Sequence, residues 1–305
     1  MSEPFAQPLN ATTRYCAVYG YPIKHSASPA MQNAGIAALG LNWRYLAFEV
    51  HPDDLRSAIV GAKAMNYLGL NLTVPHKLLA VDMVDALDES AKTWGAVNTI
   101  RFEGKDSSGE WRPLREFADA PRVTRSHGFN TDAEAITRSL QEDLQVNLSG
   151  AKVLLLGAGG AGRTAALKLA SEGVSDLFLI NRTRSKVEEI AGEIKSRHPN
   201  TAVSIGYPAT EVDLAINATS IGLNPNDTLP FDERQFSLGK AKAVYDMVYR
   251  PAETPLLRAA KAAGCHAANG ISMLLYQGAK ALEIWTGQAA PVQVMRQALE
   301  KNVYG

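Results

Sequence analysis

The segment LGLNLTVPHKLL, residues 68–79, combines an apolar strand-like run with polar groups and a lysine. Side chains two apart in a strand point the same way, so Asn71 and Thr73 share the face opposite to the leucines. Pro75 suits the first turn of a helix through residues 76–87, which places Lys77 near the positive end of the helix dipole, where a cation is disfavoured. Because departures from local preference are frequent at functional sites, this segment predicts a functional site.

A glycine pattern in KVLLLGAGGAGRTAALKLASEG, residues 152–173, suits phosphate chemistry. Gly157, Gly159 and Gly162 have G-x-G-x-x-G spacing between an apolar strand and an alanine-rich helix. The glycines permit a tight turn and a close approach to a pyrophosphate, and the helix N-terminus supplies N–H donors. A glycine-rich turn without a ligand is the less favoured alternative, because strand, glycines and helix coincide. The pattern predicts a dinucleotide site.

The segment NRTRSK after the next strand, DLFLI, indicates which dinucleotide is bound. An NAD enzyme usually places an acidic residue here for the ribose 2′-hydroxyl. This chain has Arg182, Arg184 and Lys186 instead, and arginine holds a 2′-phosphate through paired hydrogen bonds. We therefore predict NADP, selected by Arg182. Arg184 and Lys186 are equally well explained as solvated charges, and Asn181 with Thr183 as a helix cap.

Further polar side chains lie beside other predicted strands. A helix cap explains Ser28 but not Ser26, and capping also explains Asp132 at the head of the helix in GFNTDAEAITRSLQEDL. Asn98 ends the segment GAVN, whereas Tyr249 and Gln277, considered alone, would be interpreted as structural. These residues are candidates for a substrate site.

Composition narrows the class of partner. The 305 residues are 46% hydrophobic and 20% charged, which predicts a globular protein of about two domains. Thirty-one basic and thirty-one acidic residues balance, so no overall field favours nucleic acid or anionic lipid, and we expect a small-molecule partner. Cys16 and Cys265 have neither disulfide nor metal-ligand spacing, and we expect buried free thiols and no metal.

The expected location is the cytoplasm. No apolar run in the sequence approaches membrane-spanning length. The segment MSEPFAQPLNATTR has neither a basic leader nor an apolar signal core. Nucleic acid and membrane are therefore not expected partners.

Strand-like and helix-like segments alternate along the chain, which predicts α/β units with a mainly parallel sheet. The expected strands are RYCAVYG, WRYLAFEV and YLGLNLTV in the first half, then KVLLLGAGG, DLFLINRT, VDLAINATS and AVYDMVY. The helix after GFNT is the expected hinge between two domains. The charged residues 103–127 suit an extended hairpin, a flap near the cleft or a merely solvated segment, and we favour the solvated segment.

The chain resembles the shikimate dehydrogenase family through motifs in the family's order: HSASP, NLTVPHK, GAVNT, GFNTD, GAGGAG, NRT, NATSIGL, YDMVYRPAETPLL and NGISMLLYQGA. The resemblance covers nearly the whole chain. It implies an enzyme that interconverts 3-dehydroshikimate and shikimate with NADP(H), on the pathway to aromatic amino acids. It also implies two α/β domains with a cleft between them: a substrate domain of residues 1–131 plus 271–305, and a Rossmann-like domain of residues 132–270.

The resemblance assigns roles residue by residue. It makes Lys77 and Asp132 the catalytic pair, with the lysine donating to the substrate oxygen during hydride transfer. The implied substrate ligands are Ser26, Ser28, Thr73, Asn98, Tyr249 and Gln277. The implied cofactor contacts are Gly157, Gly159, Gly160, Ala161, Gly162, Asn181, Arg182, Thr183 and Lys186, with Thr219, Met247 and Gly270 at the nicotinamide end. Monomer and homodimer both stay open.

Some residues depart from the family pattern. Ala133 stands where glycine is usual and Gln32 where histidine is frequent, and residues 99–131 form a longer segment than expected. SPAMQN and NWRYLAFEV resemble the quinate/shikimate dehydrogenase branch, whose members can use NAD and accept quinate, whereas NRTRSK argues against NAD. A dinucleotide-binding regulatory protein without turnover is the third alternative. Retention of Lys77 and Asp132 argues against it.

Overall fold

The computed structural model describes residues 9–224 and 226–305, in two compact units. The first unit runs to Thr131 and resumes at Leu275–Gly305, and the second is Asp132–Leu274. Residues 1–8, which carry most of the segment examined for a leader, lie outside the described residues. Within the described chain, no helix has both the length and the apolar character needed to cross a membrane.

The first unit is an α/β layer structure. Its strands and helices before Thr131 are β1 (Arg14–Gly20), α1 (Ser28–Ala38), β2 (Trp43–Glu49), α2 (Leu55–Ala64), β3 (Gly69–Leu72), α3 (His76–Leu79), β4 (Ala86–Leu87), α4 (Glu89–Trp94), β5 (Thr99–Lys105), β6 (Trp111–Pro113) and β7 (Thr124–Phe129). Single 3₁₀ turns lie at Pro52–Asp54, Ala80–Asp82 and Leu114–Glu116.

The sheet of the first unit is mixed. Its described strands have the order β2-β1-β3-β5-β7-β4, with β6 paired to β5. β1 is parallel to both β2 and β3, whereas β5 is antiparallel to β3, β6 and β7. β3 is buried at every position, as expected for a central strand covered on both faces.

The second unit is a parallel sheet with helical crossovers. Its elements are α5 (Asp132–Leu144), β8 (Lys152–Leu156), α6 (Gly160–Ser171), β9 (Asp176–Ile180), α7 (Arg184–Arg197), β10 (Ala202–Ile205), β11 (Val212–Asn217), β12 (Ala241–Asp246), α8 (Pro255–Ala262) and β13 (His266–Asn269), with a 3₁₀ turn at Leu238–Lys240. The strand order β10-β9-β8-β11-β12-β13 is parallel throughout. Strand β8 lies between β9 and β11, so the strand order reverses at β8, which is the doubly wound pattern of dinucleotide-binding folds.

The end of the chain completes the core of the first unit through α9 (Ile271–Thr286) and α10 (Val292–Tyr304). Trp285 is 1% exposed, and its indole Nε1 donates to the Ile100 carbonyl of β5 at 2.9 Å. Gly69 makes room for this ring, because a Cβ there would lie 2.0 Å from Trp285 Nε1. A tryptophan distant in sequence therefore packs directly on the sheet.

The expected α/β class and the strands predicted in both halves are confirmed. The interpretation of residues 103–127 as a solvated segment is wrong, because they form the end of β5, all of β6 and most of β7. Strands β10 and β13 were also not predicted from the sequence. They are short edge strands without a long apolar run.

A buried carboxylate explains why the charged segment folds back. Glu103 is 1% exposed and accepts from Arg101, from Arg125 Nε at 2.6 Å and from His127 Nδ1 at 3.0 Å. Burial alone would raise the pKa of Glu103, but the bonds from His127, Arg101 and Arg125 lower it to about 2. The Arg125 guanidinium also lies 4.5 Å from the Trp111 ring centroid. Charge here stabilises a hairpin instead of solvating a loop.

The expected helix through residues 76–87 is also wrong, because α3 ends at Leu79 and strand β4 follows a 3₁₀ turn. Asp85 diverts the chain: its carboxylate accepts from the Ser126 N–H at 2.7 Å and from Lys63 Nζ at 2.9 Å. These contacts align Ala86–Leu87 beside β7. Tertiary pairing overrides the helical pattern.

Candidate active site

One edge of the first sheet collects most of the candidate substrate residues. Tyr19 of β1 pairs with Leu72 of β3 in parallel register, so the loops that follow both strands leave at the same edge. β5 runs the opposite way and pairs Thr99 with Asn71, which puts Asn98 at this edge too. Strand direction alone therefore brings together segments distant in sequence.

Asn98 is the centre of a buried hydrogen-bond cluster at this edge. It is 1% exposed, its Nδ2 donates to Thr131 Oγ1 at 2.9 Å and to Gln277 Oε1 at 3.4 Å, and its Oδ1 accepts from the Thr131 N–H at 2.8 Å. Thr131 Oγ1 also donates to the Gln277 carbonyl at 3.0 Å. Asn98 and Gln277, both predicted ligands, thus meet, whereas sequence analysis missed Thr131. Its position beside Asp132 in GFNTD was the available signal.

Asn71 does not present a free group at the strand end. Its Oδ1 accepts from the Tyr45 hydroxyl at 2.7 Å, and its Nδ2 donates to the Asn98 carbonyl at 3.2 Å and to Thr99 Oγ1 at 3.0 Å. It is 5% exposed. Asn71 therefore supports the Asn98 segment, whereas Thr73 lies beyond the end of β3.

The two serines that follow β1 differ from the expected capping arrangement at the start of α1. α1 has Ala27 as its N-cap and Ser28 as its first residue, so the interpretation of Ser28 as a side-chain cap is wrong. Instead, Ser26 Oγ accepts from the Ser28 N–H at 3.4 Å. Ser28 is buried, and Gly20 lets Thr73 approach this loop, since a Cβ there would lie 2.5 Å from Thr73 Cγ2. Ser26, Ser28 and Thr73 therefore follow two adjacent strands.

Lys77 lies in the single turn of α3 and is half-buried. Its carbonyl accepts from the Val97 N–H at 2.9 Å, which fixes α3 beside the segment that carries Asn98. The preceding residue, His76, is fully buried, and neither ring nitrogen has a hydrogen-bond partner. Burial lowers the pKa of His76. The lysine thus follows an uncharged, buried imidazole.

Asp132 and Tyr249 belong to the second unit. Asp132 is the first residue of α5 and is 1% exposed. The helix that it begins is anchored by buried residues on one face, among them Ala133 and Ile136. Tyr249 follows β12 and is half-buried. The structure thus divides the predicted substrate residues between the two units.

The glycine turn after β8 has the geometry expected of a phosphate-binding loop. Gly157 has a φ of +106°, and a Cβ there would lie 2.8 Å from the Ala218 backbone. A Cβ at Gly162 would lie 2.2 Å from the Gly157 carbonyl oxygen. At Gly159, the N-cap of α6, a Cβ would meet no described atom within 4 Å. Gly157 and Gly162 are therefore needed for the turn itself, whereas Gly159 leaves space for a ligand.

The helix start continues this open surface. Gly160 and Ala161 are the first two residues of α6, so their N–H groups belong to the first turn. Asn181 fixes the turn to the end of β9: its Oδ1 accepts from the Ala158 N–H at 3.1 Å and its Nδ2 donates to the Thr183 carbonyl at 2.9 Å. Asn181 therefore joins the two segments predicted to hold the cofactor.

The basic residues after β9 are not equivalent. Arg184 forms a 2.8 Å ion pair with Glu188 one helical turn away. Arg182 and Lys186 are exposed and make no ion pair with the described part of the chain. Thr183 is the N-cap of α7, but its side chain makes no capping bond. Arg182 and Lys186 thus differ from Arg184, which pairs within its own helix.

The three residues assigned to the nicotinamide end follow adjacent strands. Thr219, Met247 and Gly270 come after β11, β12 and β13. The Met247 N–H donates to the Asn217 carbonyl at 2.9 Å, and a Cβ at Gly270 would lie 2.3 Å from the Met247 carbonyl oxygen. The parallel sheet therefore brings all three to one edge. No cluster of metal-ligating side chains is found within residues 9–224 and 226–305.

Comparison with known proteins decides the family. The sequence matches the shikimate dehydrogenase substrate binding domain over residues 18–100, the shikimate / quinate 5-dehydrogenase family over residues 139–223 and the shikimate 5′-dehydrogenase C-terminal domain over residues 270–300. It is 40% identical over 302 residues to the shikimate dehydrogenase (NADP(+)) of Methanopyrus kandleri, covering 97% of this chain and 98% of that protein.

The chain belongs to the shikimate dehydrogenase family. Solved structures agree with this family assignment. The shikimate 5-dehydrogenase of Thermus thermophilus, in complex with NADP(H) and shikimate, has a TM-score of 0.75 and 32% identity over 94% of this chain and 99% of that one. The shikimate 5-dehydrogenase of Listeria monocytogenes, in complex with shikimate and NAD, has a TM-score of 0.76 and 30% identity over 97% of this chain and 100% of that one.

Within the shikimate dehydrogenase family fold, the arrangement of this chain suits two kinds of ligand. The first unit offers buried amides and hydroxyls that hold one another in place, which suits a small polyol. The second unit offers a glycine turn, a helix N-terminus and exposed cations, which suit a phosphorylated dinucleotide.

Proposed function

We propose that this protein is an NADP-dependent shikimate dehydrogenase that reversibly reduces 3-dehydroshikimate to shikimate. The observation that carries the proposal is the 40% identity to an NADP-dependent shikimate dehydrogenase across 97% of the chain. An oxidoreductase that acts on a secondary alcohol needs a polyol site and a dinucleotide site, and candidates for both are present.

The residues present fit NADP. The space at Gly159 lies at the N-terminus of α6, where N–H groups favour a pyrophosphate. Arg182 and Lys186 are free of ion pairs within the described chain, so either can meet a 2′-phosphate without first breaking a contact. The exposed Thr183 lies between Arg182 and α7. Bound NADPH would supply the hydride for the ketone carbon.

The proton that accompanies the hydride is assigned to Lys77 and Asp132. As the carbonyl carbon is reduced, the ketone oxygen gains negative charge, and the Lys77 ammonium donates the proton that turns it into the hydroxyl. In the oxidative direction Lys77 accepts that proton. Asp132 is its partner in this transfer, as the family motif GFNTD suggests. Positioned acids of this kind typically contribute about 10²–10⁴-fold to turnover.

The ligands for the ring hydroxyls are assigned to Ser26, Ser28, Thr73, Asn98, Tyr249 and Gln277. The cluster of Asn98, Thr131 and Gln277 supports this assignment, because its amides are held before any ligand arrives. A polyol that lacks one of the hydroxyls would leave a buried amide without a hydrogen-bond partner, which costs binding free energy. Preorganised amides therefore discriminate between polyols.

A quinate/shikimate dehydrogenase that accepts NAD is the second candidate function. SPAMQN at the start of α1 favours it, and Gln32 of this motif is buried with its Nε2 donating to the Gly278 carbonyl at 2.8 Å. The Listeria structure shows that NAD can bind in a member of the family. The free Arg182 favours NADP.

Initial rates of nicotinamide reduction test the proposal, with shikimate and quinate each paired against NADP⁺ and NAD⁺. We expect the highest kcat/KM for shikimate with NADP⁺. An equal or higher value for quinate or NAD⁺ would favour the second candidate. NADP⁺ binding without turnover on either polyol would contradict both and indicate the regulatory protein.

A further inference from the structure

Asp246, the last residue of β12, is a buried charged group with no assigned role. It is 0% exposed, and its Oδ1 accepts from Asn217 Nδ2 at 2.9 Å and from the Val248 N–H at 3.0 Å. Its Oδ2 accepts from Thr254 Oγ1 at 2.6 Å. Burying a carboxylate is costly, and three donors offset that cost only if their positions are fixed. The carboxylate therefore organises three different segments.

The first branch of this network reaches Asn217. The Asn217 Nδ2 also donates to the Ile221 carbonyl at 3.0 Å, while its Oδ1 accepts from the N–H and the hydroxyl of Thr219 at 3.0 and 2.7 Å. A carboxylate only accepts hydrogen bonds, so a flipped Asn217 amide would oppose oxygen to oxygen. Asp246 thus sets which end of the Asn217 amide faces Thr219.

Thr219 is held from both sides as a result. Its hydroxyl donates to Asn217 and accepts from the Ile221 N–H at 3.1 Å. Its Cγ2 lies 3.0 Å from the place where a Gly157 Cβ would be, so the methyl group faces the glycine turn. The chain of bonds from Asp246 therefore ends at a loop that packs on the predicted pyrophosphate site.

The second branch holds the turn after β12. The bond from the Val248 N–H to Asp246 fixes the residue after Met247, and the Val248 carbonyl accepts from the Gly270 N–H at 3.5 Å. One carboxylate is thus tied to Thr219, to Met247 through its neighbour, and to Gly270. These are the three residues assigned to the nicotinamide end.

The third branch leads elsewhere and supplies a control. Thr254 is the N-cap of α8, and its Oγ1 accepts from the Leu257 N–H at 3.2 Å. Neither residue is among those assigned to the cofactor. Loss of this branch should weaken the cap of α8, at a typical cost to helix stability, without moving Thr219 or Met247.

We infer that Asp246 is a positioning residue for the nicotinamide half of the cofactor, acting through Asn217 on Thr219 and through Val248 on Met247. The inference rests on the proposed function. Hydride transfer is sensitive to small displacements of the reacting groups, and a shift of about 1 Å caused by a residue remote from the chemistry can cost about 100-fold in rate. The adenosine half, held at Asn181 and Arg182, does not depend on this network.

The test compares Asp246→Ala, Asp246→Asn, Asn217→Ala and Thr254→Ala with the wild-type chain. Three quantities are measured for each: kcat for shikimate oxidation per folded molecule, the fluorescence of NADPH on binding, and the Kd of adenosine 2′,5′-bisphosphate. The fluorescence reports the surroundings of the nicotinamide without turnover. The bisphosphate is a probe of the adenosine half alone.

We expect Asp246→Ala and Asn217→Ala to lower kcat by about 10–100-fold and to reduce the NADPH fluorescence response, with the Kd of the bisphosphate within about 2-fold of wild type. Asp246→Asn should recover most of the lost kcat. The amide oxygen can keep the bonds from Asn217 and Val248, while its NH₂ donates to Thr254 Oγ1. Thr254→Ala should lower the melting temperature and leave kcat within about 2-fold.

A wild-type kcat and fluorescence response in folded Asp246→Ala would overturn the inference, as would an equal loss of both in Thr254→Ala and Asn217→Ala. If Asp246→Ala does not fold, the comparison of Asn217→Ala with Thr254→Ala decides. Absence of turnover in the wild-type protein would count against the proposed function. The fluorescence and bisphosphate measurements would then still support or overturn the positioning role.

Discussion

The two units hold their candidate functional groups in opposite ways. In the first unit, Asn98 and Thr131 are buried and bound to each other before any ligand arrives. In the second unit, Arg182 and Lys186 are exposed and without ion pairs in the described residues, while the backbone of the glycine turn provides the shape. The proposed substrate site in the first unit therefore relies on fixed side-chain geometry, and the proposed cofactor site in the second on backbone shape and charge.

This difference determines whether a mutation should change folding and turnover or only ligand affinity. A buried interlocked group affects folding and turnover together, because removing it leaves its partners unpaired. Removal of an exposed cation without an ion pair should change only the affinity for the ligand that it contacts, because the cation contributes little to the stability of the free chain.

Lys77→Ala should lower kcat by about 10³-fold while changing KM little, because a positioned proton donor acts in the transition state. Steady-state rates with shikimate and NADP⁺ measure this. Lys92→Ala is the matched control, since Lys92 is an exposed lysine paired with Glu89 at 2.6 Å. Equal kcat in the two variants would remove Lys77 from the mechanism.

Glu103→Gln should lower the free energy of unfolding at neutral pH by about 3 kcal/mol, because the folded chain holds the pKa of Glu103 at about 2 against an ordinary value of 4.5. As pH falls, the unfolded chain takes up the proton first. The contribution is therefore complete above 4.5 and is lost as pH falls from 4.5 to about 2.

Denaturant unfolding of both proteins between about pH 7 and about pH 3 checks this, with the gap between them narrowing in acid. Glu253→Gln is the control, because Glu253 forms an exposed ion pair with Lys261 at 2.7 Å. We expect it to change stability by less than about 1 kcal/mol. A pH-independent gap for Glu103→Gln would contradict the assignment.

Arg182→Ala should raise the Kd of NADP⁺ by about 10–100-fold and leave that of NAD⁺ nearly unchanged, because only NADP⁺ carries the 2′-phosphate. Calorimetric titration measures both. Arg184→Ala is the matched control, since Arg184 already pairs with Glu188. Parallel losses for the two cofactors in Arg182→Ala would mean that the residue does not select the phosphate.

His76→Leu should flatten part of the acid dependence of stability between about pH 8 and about pH 5.5. Burial lowers the pKa of His76, so the unfolded chain takes up a proton below 6.5 while the folded chain resists it, and the wild type loses stability as pH falls. Unfolding free energies at both pH values check this. His266→Gln, at an exposed position, is the matched control.

Sequence reasoning found the features that depend on neighbours along the chain. The central strands and the turn from Gly157 to Gly162 need only apolar runs, glycine spacing and a helix start, all local to about 20 residues. The charge of Arg182 was likewise visible as the replacement of an expected acid. These signals do not depend on which strands pair.

The missed features depend on pairing between distant segments. The bond between Asn98 and Gln277 joins residues 179 apart, and only the family resemblance put both in one site. Glu103 looked like one charge among many until β5 and β7 brought Arg125 and His127 to it. Ser28 fitted a cap, but the hydroxyl of Ser26 reaches its N–H instead. Asp246 was hidden for the same reason, inside an apolar strand.

The contact between Trp285 and the strand of Ile100 has a consequence for synthesis on the ribosome. The sheet of the first unit is translated early, but the ring that fills the space beside Gly69 is translated only after the whole second unit. The second unit is continuous from Asp132 to Leu274, so it can finish folding before the first unit is complete. The first unit is thus begun before the second but cannot be completed until α9 has been translated, and until then the space beside Gly69 lacks the Trp285 ring.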